Sequence, residues 1–273
     1  HKCLRPFSHR NHLPITVQHK DFMATILVPI PATDFDPTET AVPWQILAAL
    51  GHHVVFATPD GAPGRADPRM LTGQGLGLLA PLLMADANGQ QAYEAMERSD
   101  AFRQPLRHQD IRSSDFDALL LPGGHASGMR PYLESVLLQA RVAEFFAQGK
   151  PVGAICHGVV LAARSQGSAG RSVLWGKTTT ALLQLQEMAA WAATCTWLGR
   201  YYRTYSESVQ SEVRRALAQS SDFRKGPPPL KRDGPGNLQP GFTLLDGHYL
   251  SARWPGDAHR FGTEFGKLLA TGA

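Results

Sequence analysis

The chain has few cysteines and few charges, and it lacks any long apolar run. Three cysteines, at positions 3, 156 and 195 of 273 residues, are too few and too scattered for a disulfide framework or a zinc site. No apolar stretch approaches the ~20 residues that cross a bilayer, so no membrane partner is expected. No metal or other cofactor is predicted either. A reducing, cytoplasmic setting is the default expectation for such a sequence.

The net charge of +4 is unevenly distributed along the chain. Residues 1–22 hold four basic residues and one aspartate, which together supply most of it. Because the remainder is nearly neutral, no nucleic-acid partner is predicted. Residues 1–22 also lack apolar periodicity. They are interpreted as a disordered extension of a single domain that covers residues 23–273.

Short apolar runs alternate with helical patterns through most of the chain. Strands are predicted over residues 25–30, 53–58, 117–121 and in the run that ends before Cys156, and a hairpin around Asp246-Gly247. Helices are predicted over residues 37–50, 92–102, 133–148 and 258–269. The alternation predicts an α/β fold with a doubly wound, mostly parallel sheet. Residues 182–240 interrupt it with two helical patterns, 182–198 and 206–219, and are interpreted as an inserted helical cap.

The segment 151–161 carries the strongest functional signal. An apolar run ends at Cys156, and His157, Gly158 and a second apolar run suited to a helix follow. Small residues two positions before and after the cysteine permit a sharp strand-to-helix turn. A helix N-terminus beneath this turn favours a thiolate, so we expect a lowered thiol pKa and a nucleophilic Cys156. The alternative is a buried structural cysteine beside a surface histidine.

Two other strand ends carry residues that suit the same site. Glu39 follows the first strand in an acidic helix start. A carboxylic acid beside a thiolate, out of water, has a raised pKa and can donate a hydrogen bond. The alternative for Glu39 is a solvated capping-box residue, and Asp36 is interpreted as the helix cap alone. Gly123 and Gly124 follow another predicted strand, and the backbone N–H groups of Gly124 and His157 are predicted to form an oxyanion hole.

Several motifs together resemble the ThiJ/PfpI superfamily. They are Glu39-Thr40 at the helix start, Leu-Pro-Gly-Gly-His at 121–125, Ala-Ile-Cys-His-Gly at 154–158, Gly-Lys-Thr-Thr at 176–179 and the closing segment 252–258. The resemblance covers about residues 24–181 and 241–270. It implies a flavodoxin-like fold related to the class I glutamine amidotransferases, and a homodimer. The amidotransferases' late His-x-Glu pair does not occur here, so release of ammonia from glutamine is not expected.

The resemblance also implies a Cys–His–acid site with a carboxylic acid nearby. Cys156 is then the nucleophile, His157 the general base and acid, and Glu39 the nearby carboxylic acid. Glu187 is the candidate acid that orients His157, with a solvated helix face as its alternative. Three more residues are candidates for lining the site or contacting a substrate, each with a structural alternative: His125, Asp257 and His259.

These residues favour a cofactor-independent enzyme acting on a small reactive carbonyl compound. The reaction is glyoxalase III-like, from methylglyoxal to lactate, or deglycase-like. A cysteine hydrolase, a peptidase or an isonitrile hydratase built on the same thiolate is the alternative among enzymes. A redox-sensing or chaperone-like stress protein is the alternative of another class, because a reactive thiol beside an acid also suits oxidation.

Overall fold

The computed structural model describes residues 23–271, so the predicted extension over residues 1–22 lies outside the described residues. The strands are β1 (Thr25–Pro29), β2 (Thr33–Phe35), β3 (His53–Thr58), β4 (Arg65–Ala66), β5 (Leu106–Arg107), β6 (Ala118–Leu121), β7 (Val152–Ile155), β8 (Thr243–Asp246) and β9 (Tyr249–Ala252). The α-helices are α1 (Pro37–Ala49), α2 (Pro68–Thr72), α3 (Ala80–Leu83), α4 (Ala87–Arg98), α5 (Asp100–Arg103), α6 (Arg130–Leu133), α7 (Val136–Ala147), α8 (Gly158–Arg164), α9 (Gln184–Leu198), α10 (Val209–Ala216) and α11 (Ala258–Ala270).

Seven strands form one sheet in the order β5-β3-β1-β6-β7-β9-β8, and every neighbouring pair is parallel except β8 and β9. From β1 the chain crosses to β3 on one side of the sheet centre, and from β6 it crosses to β7 in the opposite direction. Right-handed crossovers therefore place α1 and α7 on opposite faces of the sheet. The predicted doubly wound, mostly parallel α/β fold is confirmed. β6 and β7 are buried along their whole length, as expected for strands covered on both faces.

The carboxyl ends of β1, β6 and β7 define where a site can form. These strands are neighbours in the sheet, and the strand order reverses between β1 and β6, where doubly wound sheets bind ligands. The chain leaves β1 towards the start of α1, leaves β6 towards Gly123, and leaves β7 at Cys156. The fold thus brings the three predicted parts of the site to one edge.

Two of the predicted helices are each divided by a serine. The pattern predicted over residues 92–102 is α4 followed by α5, and the pattern over 133–148 lies across α6 and α7. Ser99 accepts a hydrogen bond from the N–H of Phe102, and Ser135 accepts one from the N–H of Leu138. Each serine therefore caps the start of a new helix, a role that its short hydroxyl side chain favours over a helix interior.

The cap predicted over residues 182–240 contains α9 and α10, each shorter than its sequence pattern. α9 ends at Gly199, which adopts a φ of 58°. α10 begins after Ser208, whose hydroxyl accepts the N–H of Ser211. The segment between them, residues 199–208, is irregular and faces the edge of the sheet that carries Cys156. The cap therefore contributes to the site through a loop rather than through its helices.

The predicted hairpin is formed by β8 and β9. Asp246 pairs with Tyr249 across the turn, and Gly247 adopts a φ of 61°, a conformation that glycine takes without steric cost. Within residues 23–271, no helix is both long enough and apolar enough to span a bilayer.

Candidate active site

Cys156 occupies a strained turn between β7 and α8. It is fully buried and is one of two non-glycine residues in residues 23–271 with a positive φ, at 56°. The turn depends on Gly158, because a Cβ there would lie 2.1 Å from the carbonyl oxygen of Leu121 on β6. Backbone strain of this kind is held by the surrounding structure and is common at reactive residues. The predicted strand–cysteine–helix turn is present.

Substitution of Gly158 by alanine is expected to destabilise the protein by about 3 kcal/mol, because the new methyl group meets rigid backbone. Gly236 is the matched control, since a Cβ there has no atom within 4 Å and its φ is not positive. Gly236→Ala should change stability by less than about 0.5 kcal/mol. Urea unfolding of both variants measures the difference. Equal midpoints would contradict the packing of α8 against β6.

Glu39 lies in the first turn of α1 and is completely buried beside the cysteine. Its Oε2 accepts the N–H of Gly123 at 3.1 Å, and the same glycine packs against the Cβ of Cys156, so the carboxyl group and the cysteine side chain are neighbours. A Cβ at Gly123 would lie 2.7 Å from that oxygen, so glycine permits the close approach. Asp36 is the helix cap, as predicted, and accepts the N–H groups of Thr38 and Glu39. The side chain of Glu39 points to the cysteine and forms no capping box.

The thiol is not the low-pKa group that the sequence predicts. Burial raises the pKa of Cys156 well above its usual range, and the negative charges of Glu39 and Asp36 act in the same direction. The backbone N–H of His157 lowers the thiol pKa, but by less. Burial also raises the pKa of Glu39 well above its usual range, with Asp36 adding to it. The predicted lowering of the thiol pKa considered the helix N-terminus but not the burial of the thiol. In the free protein, Cys156 is therefore a thiol and the neighbouring Glu39 is a protonated carboxylic acid.

His157 is the base within reach of the thiol. Its Nδ1 lies 3.5 Å from the Cys156 sulfur, and its Nε2 lies 3.1 Å from the hydroxyl oxygen of Thr204 in the cap. The ring is almost fully buried. Burial lowers the pKa of His157 well below its usual range, and the positive charge of Arg164 acts in the same direction. The imidazole is therefore neutral at rest and able to accept a proton.

His125 forms the wall between the buried pair and two cavities. Its ring packs edge-to-face against His157 at 5.3 Å and against Tyr202 at 5.2 Å. Burial lowers the pKa of His125 to about 4, and its Nδ1 has no hydrogen-bond partner within residues 23–271. A polar cavity of about 790 Å³, lined by four arginines, and an apolar cavity of about 520 Å³ both reach this ring. His125 thus lines both cavities, and Cys156 lies behind it.

One group of side chains in the described part of the chain could hold a metal ion. The ligand atoms of His125, Cys156 and His157 lie within 4.8 Å of one another. Sulfur and imidazole nitrogen are ligands that zinc and copper prefer. Two of these residues, Cys156 and His157, are those that the sequence assigns to catalysis, so activity measurements on this protein need a chelator as a control.

Glu187 is buried on α9 but does not contact His157. Its Oε1 lies 3.4 Å from the Arg203 guanidinium, and its Oε2 accepts the N–H of Val209 at 3.0 Å. Burial raises the pKa of Glu187 to about 7. The prediction that Glu187 orients His157 directly is therefore wrong in geometry, because α9 directs the carboxylate into the cap. The side chain that contacts the Nε2 of His157 is that of Thr204, which was not predicted from the sequence.

Asp257 and His259 do not reach the cysteine. Asp257 is fully buried, and both its oxygens accept hydrogen bonds from the Arg253 guanidinium at 2.9 Å. Arg253 in turn donates to the carbonyls of Lys225 and Pro227, and so ties the proline-rich part of the cap to the core. His259 pairs with Asp233 at 3.3 Å. Both predicted substrate contacts are thus structural, and neither residue lines the cavities at His125.

Asp257→Asn is expected to destabilise the protein by about 3–5 kcal/mol, because it leaves the buried Arg253 charge without its counter-charge. The KM of the folded fraction should not change. Glu264→Gln removes an exposed ion pair with Lys267 from the same helix, and we expect less than about 1 kcal/mol there. Thermal unfolding and steady-state kinetics on both variants separate the roles. A raised KM at unchanged stability would restore Asp257 as a substrate contact.

The family model described as ThiJ/PfpI family-like matches residues 30–227. The chain therefore belongs to the ThiJ/PfpI family, as its motifs predict.

The chain is similar in sequence to proteins from a plant, an archaeon and a yeast. It is 33% identical over 143 residues to protein DJ-1 homolog D of Arabidopsis thaliana, covering 52% of this chain and 31% of that protein. It is 28% identical over 164 residues to deglycase PfpI of Pyrococcus furiosus, covering 60% and 69%. It is 28% identical over 151 residues to the glutathione-independent glyoxalase hsp3102 of Schizosaccharomyces pombe, covering 53% and 58%. The matches to the first relatives span between 31% and 61% of their lengths.

Among solved structures, glyoxalase III from Candida albicans has a similar fold. The TM-score is 0.60 at 17% identity, and the match covers 89% of this chain and 96% of that one. At this identity the likeness supports the fold and not a shared reaction.

Proposed function

We propose that this protein is a cysteine-dependent enzyme that acts on a small reactive carbonyl compound without a cofactor. The observation that carries the proposal is the arrangement of three buried groups. The Cys156 thiol lies 3.5 Å from the Nδ1 of a neutral His157, and the Glu39 carboxyl group is its neighbour beside Gly123, on a turn that holds the cysteine at a positive φ. This supplies a nucleophile, a base and an acid within one small volume. The names of the glyoxalase and deglycase relatives support the same substrate class.

In the proposed reaction, the Cys156 sulfur attacks the aldehyde carbon of methylglyoxal. The sulfur–carbon bond forms as the carbon–oxygen π bond breaks, and His157 takes the thiol proton and passes it to the new alkoxide. The product is a hemithioacetal. We propose that the backbone N–H groups of Gly124 and His157 stabilise the developing negative charge.

The second stage moves a hydrogen from the aldehyde carbon to the ketone carbon. Neutral His157 removes the proton from the first carbon while protonated Glu39 donates its proton to the neighbouring ketone oxygen, which gives an enediol. His157 then returns its proton to the second carbon, and the hydroxyl proton on the first carbon passes back to Glu39. The resulting 2-hydroxyacyl thioester is hydrolysed by water, which releases lactate and restores the thiol.

The burial of Cys156 weighs against two of the alternatives. A redox sensor needs an exposed, low-pKa thiol, whereas this thiol is fully buried and its pKa is raised by that burial. A peptidase needs an open cleft at the nucleophile, and neither cavity at His125 has Cys156 in its wall. A small substrate that passes His125 is the better match. The homodimer stays a prediction that sedimentation can test.

The proposal is tested by following methylglyoxal consumption by NMR with protein treated with EDTA. We expect one lactate for each methylglyoxal consumed. Adding a thiol that forms a hemithioacetal with methylglyoxal then separates the two reaction types. A glyoxalase-like enzyme uses the free aldehyde and slows down, and a deglycase-like enzyme keeps its rate. No lactate in either condition would contradict the proposed function.

A further inference from the structure

Thr204 contacts both sides of the site from the loop between α9 and α10. Its hydroxyl donates to the backbone carbonyl of His125 at 2.5 Å, and the same oxygen lies 3.1 Å from the Nε2 of His157. A hydroxyl group carries one proton, and a carbonyl oxygen can only accept. Because the Thr204 proton is used on His125, its oxygen can only accept a hydrogen bond from His157. The proton of the neutral imidazole must therefore be on Nε2.

We propose that Thr204 is a positioning residue that holds His157 in the Nε2–H tautomer, so that the unprotonated Nδ1 faces the Cys156 thiol. The 3.5 Å separation of Nδ1 and the sulfur is then a thiol-to-nitrogen contact along which the proton can move. This inference rests on the proposed function for its catalytic meaning. The tautomer itself does not depend on which substrate is used.

A hydroxyl group at this position has a different effect from the carboxylate of a Cys–His–acid triad. A carboxylate orients the ring and also raises the imidazole pKa, because it stabilises the charged form. Thr204 orients the ring without adding charge, and burial keeps the pKa of His157 low. The base is thus neutral at physiological pH, which suits a thiol that loses its proton only as it attacks.

The predicted acid, Glu187, acts on this arrangement through the cap. It holds the Arg203 guanidinium, and Arg203 directly precedes Thr204 in the chain. On the other side, the Tyr205 hydroxyl accepts from Arg164 at 3.0 Å and donates to Glu134 at 2.9 Å. The ion pair of Arg203 and the hydrogen bonds of Tyr205 therefore hold Thr204 against His157. The packing of the cap against the core is thus required for the Nε2–H tautomer.

The direct test is ¹⁵N NMR of the protein labelled at histidine, with the His157 signal assigned by its loss in His157→Gln. The inference predicts a protonated Nε2 and an unprotonated Nδ1 at neutral pH. The Thr204→Val variant has similar volume and no hydroxyl group, and it should shift the ring towards the Nδ1–H form. A wild-type ring in the Nδ1–H form, or no change in the valine variant, would overturn the inference. This readout needs no turnover, so it stands apart from a failure of the proposed reaction.

Kinetics give the second readout. Thr204→Val should lower kcat by about 10- to 100-fold with little change in KM, and Thr204→Ser, which keeps the hydroxyl, should recover activity to within about threefold. Thr194→Val is the control, because this buried hydroxyl bonds only within α9, to Ala190 and Trp191. It should leave kcat unchanged. Equal losses in the serine and valine variants would contradict the role of the hydroxyl. If Thr204→Val fails to fold, the wild-type ¹⁵N spectrum still tests the tautomer of His157, and the activity of Thr204→Ser still tests the role of the hydroxyl group.

Discussion

Replacing Cys156 by serine is expected to lower kcat/KM for methylglyoxal by at least about 10³-fold. A serine hydroxyl is far less acidic than a thiol, and the neutral His157 is a weak base because burial lowers its pKa. The variant should keep the wild-type circular dichroism spectrum and unfolding temperature, since serine fits the volume and can adopt the same positive φ.

The chain contains a matched control for this substitution. Cys195 lies on α9, is partly exposed, and has a thiol that donates a hydrogen bond to the carbonyl of Ala192 within the same helix. Cys195→Ser should retain full activity. A Cys156→Ser variant that kept more than about a tenth of the activity would remove the thiol from the mechanism.

Replacing Glu39 by glutamine is expected to lower kcat by about 10²- to 10⁴-fold, because glutamine can accept the Gly123 N–H but has no proton to donate to the substrate. Glu39→Asp keeps a carboxyl group but withdraws it from the sulfur, and intermediate activity is expected. A glutamine variant with wild-type kcat would assign Glu39 to the structure of the α1 N-terminus alone.

The same substitution should stabilise the protein at neutral pH. The pKa of Glu39 is raised in the folded state, so the folded protein binds this proton more tightly than the unfolded chain does. The corresponding stability is present below a pH of about 4.5, the ordinary value for glutamate, and is lost as pH rises through the folded-state pKa. In Glu39→Gln this loss of stability at high pH does not occur, because glutamine does not ionise. The unfolding free energy of this variant should exceed that of the wild type at pH 8, and the difference should shrink as the pH falls to 4.

Thermal unfolding of both proteins from pH 4 to 8 measures this difference, with about 2–4 °C expected for each kcal/mol. Activity and stability are measured on the same samples, so that the effect of Glu39→Gln on catalysis is separated from its effect on stability. A glutamine variant that is less stable at pH 8 would contradict a buried, protonated Glu39.

Much of the fold and the centre of the site can be predicted from local sequence. The apolar runs of β1, β3 and β7 identify a parallel sheet, and the small residues around Cys156 identify its turn. Parallel strands bring their carboxyl ends to one edge, so the grouping of Glu39, Gly123 and Cys156 follows from strand order alone. The helix divisions at Ser99 and Ser135 were missed because a serine within a helical pattern is compatible with both an interior and a cap.

The protonation of the site could not be predicted in the same way. The pKa of a thiol depends on its burial, and Cys156 is fully buried beside residues that are distant in the sequence, Glu39 and His125. Thr204 is separated from His157 by 47 positions in an irregular loop, with no spacing that marks it. Glu187 suits the family's acid by sequence position, but the direction of its side chain is set by Arg203. Contacts between the cap and the core decide these features, and no local pattern encodes them.

In the proposed reaction, protein groups carry a proton between two substrate carbons while the substrate is bound to Cys156. Conversion of methylglyoxal in D₂O, with EDTA present, tests it most directly. If the protons on His157 and Glu39 exchange with solvent during turnover, as the relay through protein groups requires for label uptake, we expect lactate that carries deuterium on its second carbon. Lactate with only protium at that carbon would contradict a relay through exchanging protein groups, and the absence of lactate would contradict the proposed reaction itself.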